Sequence, residues 1–180
     1  MNGEKLIPKN VSSEFSKLDF SDIWLKAKET DVYGVIGQDN RRIRIKILKV
    51  TKSKTNPLQY LVRGKSNVKN NVCDFNGQIT IQNIQKSERK IFGVDNEFKE
   101  LSKTQGLLIA VYEFYENKSQ KHAGAFKGTL KTKWYLNEKD KILYDDLNAH
   151  SDGFFNNAFV GYWKGYNSQF KKKCNWGDFR

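Results

Sequence analysis

Signatures of catalysis and metal binding are what this sequence most clearly lacks. Its two cysteines, Cys73 and Cys174, form no C-x-x-C pair and no Cys/His cluster, which argues against zinc and thioredoxin-type chemistry. It contains no nucleophile elbow, P-loop, H-E-x-x-H motif or dinucleotide fingerprint. Its two histidines, His122 and His150, lie in no recognisable acid–base pattern. The sequence therefore favours a non-enzymatic protein, with no catalytic residue assigned and no cofactor predicted.

Long apolar runs and prolines are also scarce. No apolar run approaches the roughly 20 residues that a membrane-spanning helix needs, and the first residues lack the charged-then-apolar order of a signal peptide. With 180 residues and two prolines, the chain suits one domain that is soluble as given. Aromatic residues make up 13% of the sequence, and because they favour strands over helices they indicate a β domain.

The clearest structural signal is the alternating segment at residues 124–137. Successive side chains of a strand point to opposite faces, so one face of this segment is apolar and the other carries lysines and hydroxyls. The inward positions are Phe126, Gly128, Leu130, Thr132, Trp134 and Leu136. One buried and one wet face are typical of an antiparallel sheet that covers a core on a single side.

A short pattern with a central glycine occurs three times, at residues 75–79, 126–130 and 159–163. Each copy reads Phe, any residue, Gly, any residue, large apolar residue. In a strand this order places the glycine on the inward face, where it relieves crowding in a curled sheet or closed barrel. Chance recurrence is the alternative, because glycine and phenylalanine are both common in this chain.

Similar alternation along the chain predicts a single all-β domain. Ser12, Ser13 and Asp22 are candidate N-caps of short helices in an irregular or helical lead, residues 1–30. A β core of about eight strands follows at 31–170, and a basic, aromatic tail at 171–180. We expect an antiparallel up-and-down barrel or a strongly curved sheet, with a sandwich as the alternative.

The chain is strongly basic, with a formal net charge of +12 and a pI near 9.6. Such a balance attracts nucleic acid or another anionic polymer, and the tail interleaves lysines with aromatic residues as nucleic-acid-binding surfaces do. The competing interpretation is that these charges keep the outer faces of strands in solvent. Lys127, Lys131 and Lys133 all lie on such a face.

An acidic, polar stretch at residues 144–157 is the one place where metal or hydrolytic chemistry is suggested. Asp145, Asp146 and Asp152 could supply oxygen ligands to calcium or magnesium, although the EF-hand spacing is missing. With His150 they form the basis of a second alternative function, a hydrolase. A long turn between strands is also naturally rich in Asp, Asn and Ser.

The two cysteines are candidates for a single disulfide. A bridge between Cys73 and Cys174 would close a loop of about a hundred residues, worth roughly 4 to 5 kcal/mol in the chain-entropy model. Such a bridge would favour an extracytoplasmic location, whereas in the cytoplasm the two residues would be ordinary thiols. The sequence assigns neither the compartment nor the oligomeric state.

The whole pattern resembles the lipocalin-like, or calycin-type, up-and-down barrels over roughly residues 22 to 170. That family often marks its first strand with Gly-x-Trp, and here Trp24 follows Asp22-Ile23. The resemblance implies a binding protein with a cavity for a small apolar ligand, or a surface for a protein partner. The residues that would line this cavity are Ile45, Tyr60, Phe75, Phe126, Trp134 and Trp163. The alternative is that these rings fill the core.

Overall fold

Nine antiparallel strands form a single sheet that closes on itself as a barrel. The structure is a computed structural model and describes residues 5–25, 32–93, 96–149 and 154–178. The strands are β1 (Val32–Ile36), β2 (Arg41–Lys52), β3 (Gln59–Val68), β4 (Asn71–Lys86), β5 (Thr104–Glu116), β6 (Gly124–Leu136), β7 (Ile142–Tyr144), β8 (Asn156–Gly165) and β9 (Lys171–Asp178). The predicted all-β, up-and-down barrel is thereby confirmed, and the sandwich alternative is not what forms.

The barrel wall has eight positions, and consecutive strands of the chain pair with each other, except β7 with β8. The first six strands pair in order, β6 pairs with β8, β8 with β9, and β9 with β1, which closes the barrel. The short β7 pairs with the end of β6 that extends beyond β8. The strands β7 and β8 therefore share one position beside β6.

An asparagine side chain fills the gap between β7 and β8. Asn156 Oδ1 accepts a hydrogen bond from Lys133 N–H at 2.7 Å, and Asn156 Nδ2 donates to Lys133 O at 3.0 Å. The carboxamide thus reproduces the donor and acceptor pair of a neighbouring strand. This contact keeps the β6 backbone satisfied where no strand lies beside it.

Two short helices precede the barrel, α1 (Ser12–Phe15) and α2 (Ser21–Leu25). They confirm the helical lead, but α1 has no side-chain cap at its N-cap position, Val11. Asn10 Oδ1 instead accepts from Ser12 N–H at 3.0 Å. The helices pack against β2, β4 and β7. They cover the barrel end where β2 turns into β3.

Aromatic rings fill the barrel interior from the helical end upward. On β6 the predicted alternation is confirmed, because Phe126, Leu130 and Trp134 are at most 1% exposed. Near the helices, Trp24 packs edge-on against Tyr60 with ring centroids 4.9 Å apart. Further up, stacked, tilted and edge-on pairs link Phe75, Phe114, Tyr112, Phe159, Trp176 and Phe126. These rings and the buried aliphatic side chains around them form the hydrophobic core.

The basic segment at 171–180, which the sequence placed outside the β core, contributes a wall strand. Residues 171–178 form β9 between β8 and β1. Its inward residues Cys174 and Trp176 are fully buried. The barrel closes only because this last strand pairs with the first.

Two of the recurring glycines lie opposite each other on neighbouring strands, where there is no space for a side chain. Gly128 on β6 is the register partner of Gly161 on β8. A Cβ added at Gly161 would lie 2.8 Å from both Gly128 Cα and the hydroxyl of Tyr112. The close approach of backbone and ring therefore depends on glycine at both positions.

Replacing Gly161 with alanine is expected to lower the free energy of unfolding by about 1 to 3 kcal/mol. The added methyl group would clash with the backbone of Gly128, which the sheet pairing holds in place. Chemical denaturation of the purified variant measures the loss. Val160, 48% exposed on the outer face, supplies the matched control. Its replacement by alanine should change stability by less than about 0.5 kcal/mol. Equal losses in the two variants would contradict the close-approach explanation.

Candidate ligand-binding site at the open end of the barrel

The barrel end opposite the helices carries a large open cavity. Four turns meet there, those that join β1 to β2, β3 to β4, β5 to β6, and β8 to β9. The cavity has a volume of about 1500 Å³. Ligand sites typically measure roughly 300 to 1,000 Å³, so the space is large enough for a small organic molecule.

The inner wall of this cavity combines apolar and aromatic side chains with polar ones. Ile36, Ala123 and Phe126 are buried, and the rings of Trp163 and Tyr166 are half-buried beside them. The aromatic core lies behind Phe126, whose ring centroid is 5.6 Å from that of Trp176. The core thus forms the floor of the cavity and separates it from the helical end.

A buried carboxylate, Glu116, interrupts the apolar wall. It is the last residue of β5 and is 5% exposed. Gly124 N–H donates to its Oε2 at 2.8 Å and Trp163 Nε1–H donates to the same oxygen at 2.9 Å. Ser66 Oγ–H donates to Oε1. All three donors are neutral, and Glu116 forms no ion pair among the described residues.

The rim of the cavity is basic. It carries Lys69 and Lys118 from two turns and the run Lys171, Lys172 and Lys173 at the start of β9. None of these five lysines forms an ion pair with a described residue, whereas the rim residue Arg41 is paired with Asp39 at 2.9 Å. The rim therefore presents positive charge without a described acidic partner around the opening.

The six residues predicted to line a ligand cavity divide into two groups. Phe126 and Trp163 line the cavity at the open end. Ile45, Tyr60, Phe75 and Trp134 are buried in the aromatic core. Beside Ile45 the structure leaves a void of only about 10 Å³, which is at most room for one water molecule. A ligand-binding role stays a prediction and is now carried by Phe126 and Trp163.

The acidic stretch contributes no metal centre within the described residues. Asp145 is buried, and its Oδ1 accepts from Leu147 N–H at 3.2 Å in a local turn. No group of three or more His, Cys, Asp or Glu side chains with metal-binding geometry occurs in the described part of the chain. Asp152 and His150 lie outside the described residues. The hydrolase alternative therefore remains a prediction.

Both cysteines are buried free thiols, and no disulfide joins them in this structure. Burial raises the pKa of Cys73, and the nearby Glu116 carboxylate raises it further. The same two causes, in the same order, raise the pKa of Cys174 to about 12. At neutral pH the thiols therefore stay protonated and are weak nucleophiles.

Sequence reasoning did not identify Glu116 as a site residue, and it noted Lys171, Lys172 and Lys173 only as part of a basic tail. The signal for Glu116 was available, because it follows Leu108, Ala110, Tyr112 and Phe114 at every second position of one strand. The alternation places its charge on the inward face. Lys69 and Lys118 come from separate turns, and only closure of the barrel brings them near the run at 171–173.

The likeness of this protein to known proteins is one of overall architecture. The closed eight-stranded antiparallel barrel is consistent at a coarse level with the lipocalin-like architecture. No family model, curated protein or solved structure matches the chain. In the described part of the chain, no helix is long and apolar enough to cross a membrane.

Proposed function

We propose that this protein is a non-enzymatic binding protein that holds a small organic ligand in the open end of its barrel. The cavity of about 1500 Å³, whose wall includes the apolar side chains Ile36 and Phe126 and the ring of Trp163, carries this proposal. A concave, mostly apolar space with a few convergent polar groups is the usual form of a ligand site. The proposed ligand has an apolar body that packs against Phe126 and Trp163.

The charged rim adds a second requirement to this ligand. Because the five rim lysines have no described acidic partner, an anionic group at the opening would gain favourable interactions with them. An apolar molecule that carries a carboxylate or similar group therefore fits better than a neutral one. Decanoate is a simple probe with these two properties.

Narrowing the cavity is expected to weaken decanoate binding. Val68 is a half-buried cavity residue at the end of β3, so Val68→Trp places a large ring inside the opening. Isothermal titration calorimetry should show an affinity at least about tenfold lower than in the parent, equivalent to roughly 1.4 kcal/mol.

Leu61 gives the matched control, because it lies on the same strand and is 54% exposed on the outer wall. Leu61→Trp should bind decanoate as the parent does. Unchanged binding in Val68→Trp would refute the cavity as the site.

A surface for nucleic acid or another polyanion is the second candidate function. On the outer wall, the guanidinium of Arg42 lies 3.9 Å from the ring centroid of Tyr33 and that of Arg44 lies 5.3 Å from it. Such interleaving is found where single strands stack on aromatic side chains. An oligothymidylate would test it, because binding at this surface should weaken steeply with added salt and should survive Val68→Trp.

A further inference from the structure

Glu116 is a buried carboxylate with no positively charged partner among the described residues. Charged side chains are rarely buried without a cation, because removal from water is costly. The contacts of Glu116 are a backbone N–H, an indole N–H and a hydroxyl, and each is neutral. A cation supplied from outside the chain would complete the site.

A structural role alone would not require a carboxylate at this position. A glutamine could accept the hydrogen bonds from Gly124 N–H and Trp163 Nε1–H with its single oxygen. Its Nε2 could donate to Ser66 Oγ, since a hydroxyl rotates to accept. The same three contacts would then be made without burying a charge. The negative charge therefore points to a function in the cavity that Glu116 lines.

We infer that Glu116 binds an ammonium group of the ligand, and that the ligand is an amphoteric molecule with an apolar body. This inference rests on the proposed function, because it concerns the same cavity. The ammonium group pairs with Glu116 on the inner wall, the apolar body lies against Phe126, and the anionic group meets the lysine rim.

The arrangement of the charges supports an amphoteric ligand over a simple amine. The positive rim repels a molecule that carries only a cation, because it must pass several lysines to reach Glu116. A ligand with an anionic group at its other end offsets this repulsion. The two opposite charges of the site, one buried and one at the opening, would also orient the ligand.

A matched set of probes tests this inference. Decanoate, decylamine and 10-aminodecanoate share an unbranched apolar chain and differ only in their end groups. In the parent protein we expect 10-aminodecanoate to bind most tightly. In Glu116→Gln its affinity should fall about tenfold or more, because the buried charge pair is lost. Decanoate should bind this variant at least as tightly as it binds the parent.

Retained decanoate binding also shows that Glu116→Gln is folded with an intact cavity. Should that variant fail to fold, the probe preference of the parent alone decides, and a preference for decanoate over 10-aminodecanoate overturns the inference. Glu113→Gln is the matched control, because Glu113 lies on the same strand and pairs with Lys127 away from the cavity. It should leave all three affinities unchanged.

The two proposals fail in different ways. If none of the probes binds, or if Val68→Trp binds them all normally, the cavity proposal itself is wrong. If decanoate binds in a way that Val68→Trp abolishes, but Glu116→Gln leaves the affinity for 10-aminodecanoate unchanged, only the role of Glu116 is refuted.

Discussion

Replacing Trp176 with alanine is expected to lower the free energy of unfolding by about 3 to 5 kcal/mol. Trp176 is fully buried on β9, the strand that closes the barrel. Its ring stacks on Phe159 at 5.0 Å and meets Tyr112 edge-on at 5.2 Å. Truncation to alanine leaves a cavity among rigid rings that cannot collapse into it. Urea denaturation, followed by circular dichroism, measures the loss.

Two further variants isolate the cause of this loss. Trp176→Phe keeps an aromatic ring and removes an indole N–H that has no hydrogen-bond partner among the described residues, so it should cost clearly less than alanine. Phe170 lies just before β9 and is 81% exposed, and its replacement by alanine should be nearly neutral. If Trp176→Ala is as mild as Phe170→Ala, β9 is not the strand that closes the barrel in solution.

Stability is expected to fall by about 3 kcal/mol as the pH rises through 6, because of Asp178 at the end of β9. This carboxyl is 2% exposed. Burial raises its pKa to about 6, although hydrogen bonds from Asn157 Nδ2 at 2.8 Å and Tyr144 Oη at 2.9 Å act in the opposite direction. Its other oxygen, Oδ1, has no partner among the described residues.

The sign of the pH effect follows from the direction of the shift. The folded state holds the proton of Asp178 more tightly than the unfolded state, where the pKa is 3.8. The stabilisation from the protonated form is therefore complete below about pH 4. It is lost as the pH rises through about 6.

Asp178→Asn should remove this pH dependence, because an amide can accept both hydrogen bonds at one oxygen and carries no charge. Denaturation curves at several pH values should show the variant more stable than the parent by up to about 3 kcal/mol at pH 8. The difference should shrink toward zero at pH 4. A parent and variant that differ equally at all pH values would contradict the assigned cause.

The chain's alternation predicted most of the wall. In β6 the period of two placed Phe126, Leu130 and Trp134 inward, and each of them is buried. The recurring glycines predicted curvature, and the pairing of Gly128 with Gly161 shows the close approach that requires them. These signals were readable because each depends on neighbours in sequence and on the pleat of a strand.

The segment 171–178 was not recognised as part of the wall, because its lysines and aromatics also fit a surface tail. Its role as β9 depends on pairing with β1, which lies more than a hundred residues earlier. A long-range partner of this kind leaves no local trace. The local sequence pattern also does not predict that the Asn156 side chain bonds the backbone of Lys133 in the gap between β7 and β8.

The candidate site was predicted only in part. Phe126 and Trp163 were assigned to a cavity by their inward register, and both line it. The same register placed Tyr60 and Trp134 inward, where they are fully buried in the core. Register tells which face a side chain occupies, but it does not tell how far along the barrel the rings fill the interior.

The amino-acid sequence by itself determined that this chain forms antiparallel strands with one apolar face and an aromatic interior, because strand periodicity is a local property. The tertiary structure decided that the wall closes through β9, that the helices cover one end, and that the other end remains open. It also brought Glu116 and five lysines from separate segments around one cavity. These features depend on contacts between residues far apart in the chain, and local sequence patterns do not predict such contacts.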